Sequence, residues 1–213
     1  MFWLIENSKQ FEVLKNSGFK EAFVEIIPNN PYQHPIENSI CAFYVRPIQG
    51  HKGYILPISH TECGTLFEDD VYLWLKGLET IYVRDKKEFL HYTIFKQLVD
   101  ITLHLPPYIL PKTTAHTILY NRFPDLLSIN QIVPITKHYE VCEQVYDDLE
   151  HHVNTALNPF YNDRATLVFN AIERSGIKID KNEFKKHFYE IEDEFVYTQY
   201  NFKTLTTRPS NKF

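Results

Sequence analysis

The stretch AFVEIIPNNPYQHPIENSICAFYVRPIQGHKGYILPISH, residues 22–60, decides the fold of this protein. It contains three runs rich in β-branched and aromatic residues, which predict strands at 22–27, 39–47 and 52–59. The turn-forming loop NNPYQHP separates the first two runs, and Gln49-Gly50 separates the last two. The sequence therefore predicts an antiparallel meander of three strands.

The segments on either side of the meander predict helices and further strands. Upstream, a short strand in FWLI precedes a helix from Ser8 to Asn16, in which Phe11 and Leu14 face inward and Val13 is a further candidate. Downstream, the pattern predicts a helix from Glu68, a strand at 80–84, a helix at 86–98 and a strand at 100–104. A meander followed by alternating helices and strands predicts an α/β fold with a mixed sheet flanked by helices.

The second half of the chain predicts mainly helices. The expected helices occupy 113–122, 138–157 and 160–175, and a capping box of Asp180 and Glu183 begins another. In the third of these, an apolar stripe is formed by Ala165, Val168, Phe169 and Ile172, and Gly176 ends the helix. Because Asn158-Pro159 interrupts the helical pattern, we expect two domains, 1–157 and 158–213, the second a helical connector.

Composition limits the classes of function. The 213 residues are 44% apolar, which is enough for a buried core, and the formal net charge of −5 argues against binding nucleic acid by bulk positive charge. The three cysteines form no CxxC pair, which is typical of a reducing cytosol. No apolar run reaches the roughly 18 residues of a membrane span, so we expect a cytoplasmic protein with no membrane partner.

A segment near the end of the chain carries a family resemblance. The stretch NDRATLVFNAIERSGIKIDKNEF resembles the point in family A DNA polymerases where the exonuclease-type domain leads into the polymerase thumb. The matching residues are Ile172, Glu173, Gly176, Ile177, Ile179, Asp180 and Phe184. The final stretch YNFKTLTTRPSNKF is similar to the element before the palm, with Thr207, Arg208 and Ser210 in register. The short spacing between the two elements resembles a compact, phage-type member, whose palm motifs we expect to follow Phe213.

The resemblance implies a fold and an ancestral chemistry for the rest of the chain. The fold is the ribonuclease H-like fold of DEDD 3′-5′ exonucleases, in which four clustered carboxylates hold two divalent metals. By order and spacing, AFVEIIP takes the place of the first motif, KKEFLHYTIF that of the second and YEVCE that of the third. The chain would act in DNA replication on primer-template DNA, in the cytoplasm of an infected bacterial host, with replication proteins as further candidate partners.

Most of the residues that would bind metal are changed in this sequence. The first motif retains Glu25 but has Ile27 in place of the second acid, and an isoleucine cannot be a ligand. The second motif has His91 where an Asp belongs and Lys87 where an Asn belongs. A neutral imidazole suits Zn²⁺ or Mn²⁺ better than Mg²⁺. We therefore expect neither metal nor cofactor in this domain.

Only the third motif keeps its chemistry. Tyr139 and Glu143 are four residues apart, so a helix would place them on one face, where they could position a water nucleophile. The sequence predicts an exonuclease fold without activity, acting as a structural or DNA- and partner-binding module. Two alternatives remain open: a working proofreading exonuclease that uses Glu25, His91, Tyr139 and Glu143 with Mg²⁺ or Mn²⁺, and a stand-alone interaction protein.

Basic residues give the predicted DNA contacts. The candidates are Lys86, Lys87, Lys96, Lys185, Lys186, Lys203, Arg208 and Lys212, of which the last three belong to the tail that would approach the primer-template duplex. For Lys86, Lys87 and Lys96 a solvated charged face is an equal alternative. His60 and Cys63 form an HxxC pair, but no second pair lies at zinc spacing, so ordinary loop residues are the favoured interpretation.

Overall fold

The computed structural model describes eight stretches of the chain: residues 3–30, 33–50, 52–104, 133–153, 164–178, 195–197, 199–201 and 210–212. The chain forms two compact units, Met1–Tyr161 and Asn162–Phe213. The boundary predicted from the sequence followed residue 157. The predicted helix at 113–122, the capping box, and the lysines and arginine at 185, 186, 203 and 208 lie outside the described residues.

Helices and strands of the first unit follow the order that the sequence predicts. They are α1 (Ser8–Lys15), β1 (Glu21–Pro28), β2 (Ile40–Pro47), β3 (Tyr54–Pro57), α2 (Glu68–Lys76), β4 (Thr80–Val83), α3 (Lys86–Tyr92), β5 (Leu98–Asp100), a 3₁₀ turn (Ile101–His104) and α4 (Ile135–Val153). In the sheet the strands lie in the order β3-β2-β1-β4-β5. β2 is antiparallel to β1 and β3, while β1, β4 and β5 are parallel. The predicted meander and the mixed α/β sheet are therefore confirmed.

Both faces of the sheet are covered, which explains why its strands are almost continuously apolar. On one face, Ala22 and Val24 of β1 pack with apolar residues of α1, α2 and α3. On the other face, Phe23 and Ile27 pack with α4. Because successive side chains of a strand point to opposite faces, Glu25 lies on the same face as α4.

Local signals account for several element ends. The Asn7 side chain accepts a hydrogen bond from the Gln10 N–H and caps α1, and Gly18 follows the helix with φ of 75°. The Asp85 side chain caps α3 in the same way through the Glu88 N–H. Upstream of α1, the predicted strand FWLI is reduced to one bridge between Leu4 and Ile55.

Three predictions in the first unit need correction. Val13 of α1 is exposed rather than inward-facing. α3 ends at Tyr92 instead of residue 98, because the backbone becomes extended at Thr93. Leu98–Asp100 then pairs with β4, so the fifth strand comes before the predicted range of 100–104, most of which is a 3₁₀ turn.

The second unit contains α5 (Arg164–Ser175), the antiparallel pair β6 (Ile177–Lys178) and β7 (Phe195–Val196), and the antiparallel pair β8 (Gln199–Asn201) and β9 (Ser210–Lys212). Gly176 has φ of 66° and donates its N–H to the Ile172 carbonyl at 3.1 Å, as expected of the residue that ends a helix.

The buried residues of α5 are not those of its apolar stripe. Val168 is 55% exposed and Ile172 is also exposed, whereas the buried residues are the polar Thr166, Asn170 and Glu173. Hydrophobic periodicity locates a stripe on a helix, but the tertiary structure decides which face is covered. The apolar stripe read from the sequence therefore does not mark the buried face of this helix.

Candidate functional site

The first predicted metal ligand, Glu25, is bound to an arginine inside the protein. Phe23 of β1 pairs in parallel register with Tyr82 of β4, and two places further along both strands this register brings Glu25 alongside Arg84. Arg84 donates hydrogen bonds from Nε at 3.1 Å and Nη2 at 2.9 Å to Glu25 Oε1. Both side chains are only 4% exposed. The Glu25 carboxylate therefore has a permanent cation as its partner.

The charges around Arg84 hold the guanidinium in its ionised form. Burial alone would lower the pKa of Arg84, but the nearby carboxylates of Glu25, Glu88 and Asp85 raise it above its ordinary value. Beside the pair is a cavity of about 20 Å³, lined by these residues and by apolar neighbours from β1, β4 and α3. That volume is close to one water molecule.

The neighbouring position, Ile27, belongs to the core. Its side chain is fully buried and packs in the same apolar cluster as α4. An acid at this position would need a partner in an apolar environment, since burying an unpaired carboxylate is very costly. The change from a ligand to an apolar residue therefore matches the packing around it.

The third-motif acid, Glu143, is occupied by bonds to the sheet. Its Oε1 accepts from the Tyr44 hydroxyl at 2.7 Å and from the Gly53 N–H at 2.8 Å. Its Oε2 accepts from Arg46 Nη1 at 3.0 Å, and the same nitrogen donates to Asp147 Oδ1 at 3.0 Å. The carboxylate therefore fastens α4 to β2 and to the residue just before β3.

The packing around Glu143 is close enough to require a glycine. A Cβ on Gly53 would come within 2.3 Å of the Tyr44 ring. On the other side, the Arg46 guanidinium lies 4.1 Å from the centre of the Tyr146 ring, within the range of a cation–π contact. Glu143 thus belongs to a structural cluster in which both of its carboxylate oxygens accept hydrogen bonds.

Tyr139 lies one helical turn before Glu143 and is also engaged in the protein. Its ring packs against Tyr44, with ring centres 6.2 Å apart. Burial, and after it the charge of Glu143, raises the pKa of the Tyr139 phenol. At neutral pH it is therefore a protonated phenol packed on the sheet.

The second-motif residue, His91, packs against another histidine. Its ring meets the ring of His34 edge to face, with centres 5.4 Å apart. His34 Nδ1 accepts a hydrogen bond from the Ile36 N–H, so in the neutral ring Nε2 carries the proton. This tautomer leaves His34 without a lone pair for a metal. Within the described stretches, no three or more His, Cys, Asp or Glu side chains are grouped so that they could hold a metal ion.

The histidine of the HxxC pair is used for a loop contact. His60 is buried, its Nε2 lies 3.0 Å from the Val133 carbonyl oxygen, and its Nδ1 accepts from the Glu62 N–H. Glu62 in turn accepts from the Ile135 N–H at the start of α4. Burial raises the pKa of the Cys63 thiol to about 11, so it is not a ready thiolate. His60 and Glu62 therefore connect this loop to Val133 and to the first residue of α4.

The predicted DNA contacts are placed as follows. Lys86 and Lys87 expose only 9% and 7% of their surface, so these side chains do not form the solvated charged face considered from the sequence. Lys96 is exposed. Lys212 is the last residue of β9, whereas Lys203 and Arg208 lie outside the described stretches. The contact of this tail with DNA remains a prediction.

Two charged residues of the site were missed at the sequence level. Arg84 was assigned only as the end of a strand, and Asp100 as the start of one. Asp100 is buried and accepts from the Lys86 N–H at 2.8 Å and the Thr102 N–H at 3.0 Å. The sequence signal for Arg84 and Asp100 was a charged residue at the end of an apolar run. The contacts of such a residue depend on which strands pair.

No protein-family model matches this chain, and no curated protein is significantly similar to it. Across the described stretches, no helix is both long enough and apolar enough to cross a membrane.

Proposed function

We propose that the first unit is a catalytically silent exonuclease-type domain with a ribonuclease H-like fold, and that it acts as a structural module of a family A DNA polymerase. The observation that carries this proposal is the buried pair of Glu25 and Arg84. In this position an active enzyme of the class needs a carboxylate that is free to bind metal. Here the carboxylate is bound to the buried guanidinium of Arg84.

The strand order supports the fold assignment. A ribonuclease H-like sheet has the order 3-2-1-4-5 with only the second strand reversed, and this sheet has the same order and directions. Helices follow β3 and β4, and α4 packs on the face that carries Glu25. In that fold the first strand and the helix after the fifth supply catalytic acids. The same two elements carry Glu25 and Glu143 in this chain.

Energetics support the loss of activity. A metal at Glu25 would have to displace a buried guanidinium, and removing one partner of a buried ion pair typically costs about 3–5 kcal/mol. At Glu143 it would have to break bonds from Tyr44, Gly53 and Arg46. Two-metal catalysis needs both acids together, so it would incur both costs.

The proposed role is to support the polymerase module and to help guide primer-template DNA. The basic residues that would contact DNA are then in the tail: Lys203, Arg208 and Lys212. The buried Lys86 and Lys87 are poor candidates because little of either side chain reaches solvent. Replication proteins are further candidate partners.

A nuclease assay tests the proposal. The 213-residue chain is incubated with single-stranded DNA and with mismatched primer-template DNA, in Mg²⁺ and in Mn²⁺. We expect no digestion and, by calorimetry, no tight binding of either metal. The variant Glu143→Gln is compared with Glu140→Gln, which changes an exposed carboxylate on the same helix. Digestion that Glu143→Gln abolishes and Glu140→Gln preserves would overturn the proposal.

A further inference from the structure

A second cleft lies at the other end of the sheet from Glu25. It has a volume of about 430 Å³ and is lined by residues 18–21, residues 47–50 and Glu79. These segments lead into β1, leave β2 and lead into β4. The volume falls in the range of roughly 300–1,000 Å³ that is typical of sites for small ligands.

The charged groups of this cleft favour a cation. Glu79 forms an ion pair with Lys20. Glu21 is exposed, and no described residue forms an ion pair with it. The side chains that line the cleft therefore sum to one uncompensated negative charge, which is on Glu21.

Two helix ends add to the negative potential. α1 ends at its C-cap Asn16, two residues before the cleft residue Gly18, and α2 ends at Gly77, two residues before Glu79. The carboxyl end of a helix carries a partial negative charge. Lys15 in the last turn of α1 and Lys76 in the last turn of α2 each offset part of this field. The field from the backbone nevertheless has the same sign as the charge on Glu21.

Apolar side chains complete the cleft. Phe19 and Ile48 are half-buried in its wall, and the Phe19 ring is held edge-on against Trp74 with centres 5.7 Å apart. An aliphatic chain with a charged end can place its methylenes on such a wall and its head group on a carboxylate.

We propose that this cleft binds an alkylammonium or guanidinium cation, with the cationic head at Glu21 and the methylene stem against Phe19 and Ile48. The cation comes either from a Lys or Arg side chain of a partner protein or from a free polyamine. This inference is independent of the nuclease-type site, which lies at the opposite end of the strands.

Titrations with two probes test the inference and separate the two sources. Spermidine and a Gly-Arg-Gly peptide are added separately to the chain, and amide shifts are followed by NMR. Saturable shifts of residues 18–21 and 47–50 are expected with at least one probe. The probe that binds identifies the source.

A matched pair of variants makes the test specific. Glu21→Gln is expected to weaken binding by up to about fivefold, the upper end for an exposed ion pair, without changing the melting temperature. Glu37→Gln removes an exposed carboxylate in the loop after β1 and is expected to leave binding unchanged. No saturable binding of either probe, equal loss in both variants, or no loss in Glu21→Gln would each overturn the inference. Equal loss would mean only nonspecific attraction to an acidic protein.

Discussion

Glu25 and Glu143 are the two acids that the exonuclease resemblance would place in a metal site if the domain were active, and each is bound by an arginine. Glu25 and its partner Arg84 are 4% exposed, and this ion pair lies within the sheet. Glu143 has a side chain that is 21% exposed, and its carboxylate accepts hydrogen bonds from Arg46, Tyr44 and Gly53. The same pairing chemistry therefore occurs in two environments with different access to water.

Burial determines how much of the free energy of unfolding is lost when each contact is removed. When one member of a fully buried pair is removed, the other charge is left without water or partner. When a contact of a partly exposed cluster is removed, solvent and the remaining partners compensate. We expect the Glu25 pair to be the more sensitive of the two, and the variants below test this order.

Replacing Arg84 should have the largest effect. The variant Arg84→Met keeps much of the side-chain volume but leaves Glu25 buried without its cation, so we expect the free energy of unfolding to fall by about 3–5 kcal/mol. Urea unfolding followed by circular dichroism measures the change. The double variant Glu25→Gln with Arg84→Met should be less destabilised than the sum of the single variants. Additive losses would show that the two side chains do not interact as described.

Replacing Glu143 should have a smaller effect. Glu143→Gln removes the negative charge that accepts hydrogen bonds from Arg46, Tyr44 and Gly53. Such charge-assisted bonds are worth about 1.5–3 kcal/mol, and the neutral amide retains part of them. We expect a loss of about 1–3 kcal/mol in the same urea assay. A loss larger than that of Arg84→Met would reverse the comparison.

Alkaline pH should weaken the Glu143 cluster through Tyr44. Burial, and after it the charge of Glu143, raises the pKa of Tyr44 above its ordinary value of 10. The unfolded chain therefore loses the tyrosine proton first, so this contribution is fully present below pH 10 and declines as the pH rises further. Between pH 10 and pH 11 the decline should be about 1 kcal/mol for this residue. Tyr44→Phe should flatten the pH dependence of unfolding, and an unchanged slope would contradict this account.

Replacing Asp147 should have the smallest effect. Its side chain is 62% exposed, and it shares Arg46 Nη1 with Glu143. An exposed ion pair contributes about 0.2–1 kcal/mol. Asp147→Asn should lower the melting temperature only slightly, as measured by calorimetry. A change comparable to that of Glu143→Gln would mean that Asp147, rather than Glu143, is the main partner of Arg46.

Local patterns predicted the elements whose signals are contained within a few residues. The start of α1 is determined by the Asn7 cap, and the start of α2 coincides with the acidic run at Glu68. The strands of the meander follow from their apolar runs. The ends of α3 and β5 were misplaced because strand pairing with β4, which is a nonlocal interaction, extends the sheet to Leu98. Propensity alone does not include that contribution.

The buried face of a helix and the partner of a charged side chain were harder to predict than whether a segment forms a helix or a strand. The stripe of α5 was recognised, but the buried residues of this helix are Thr166, Asn170 and Glu173. The candidate ligands show the same limit. Sequence order placed Glu25, His91 and Glu143 in one site, whereas their contacts are with Arg84, His34 and Arg46 respectively.

The amino-acid pattern alone predicted the α/β order of strands and helices. It also predicted the loss of a metal ligand at Ile27, because this side chain has no oxygen that could bind a metal. The contacts of the retained acids, Glu25 and Glu143, depend instead on the tertiary structure. Arg84 is 59 residues from Glu25, and Arg46 is 97 residues from Glu143. The energy of a charge depends on its distance from other charges and from water. Both distances are set by strand pairing and helix packing, which bring together residues that are far apart in the chain.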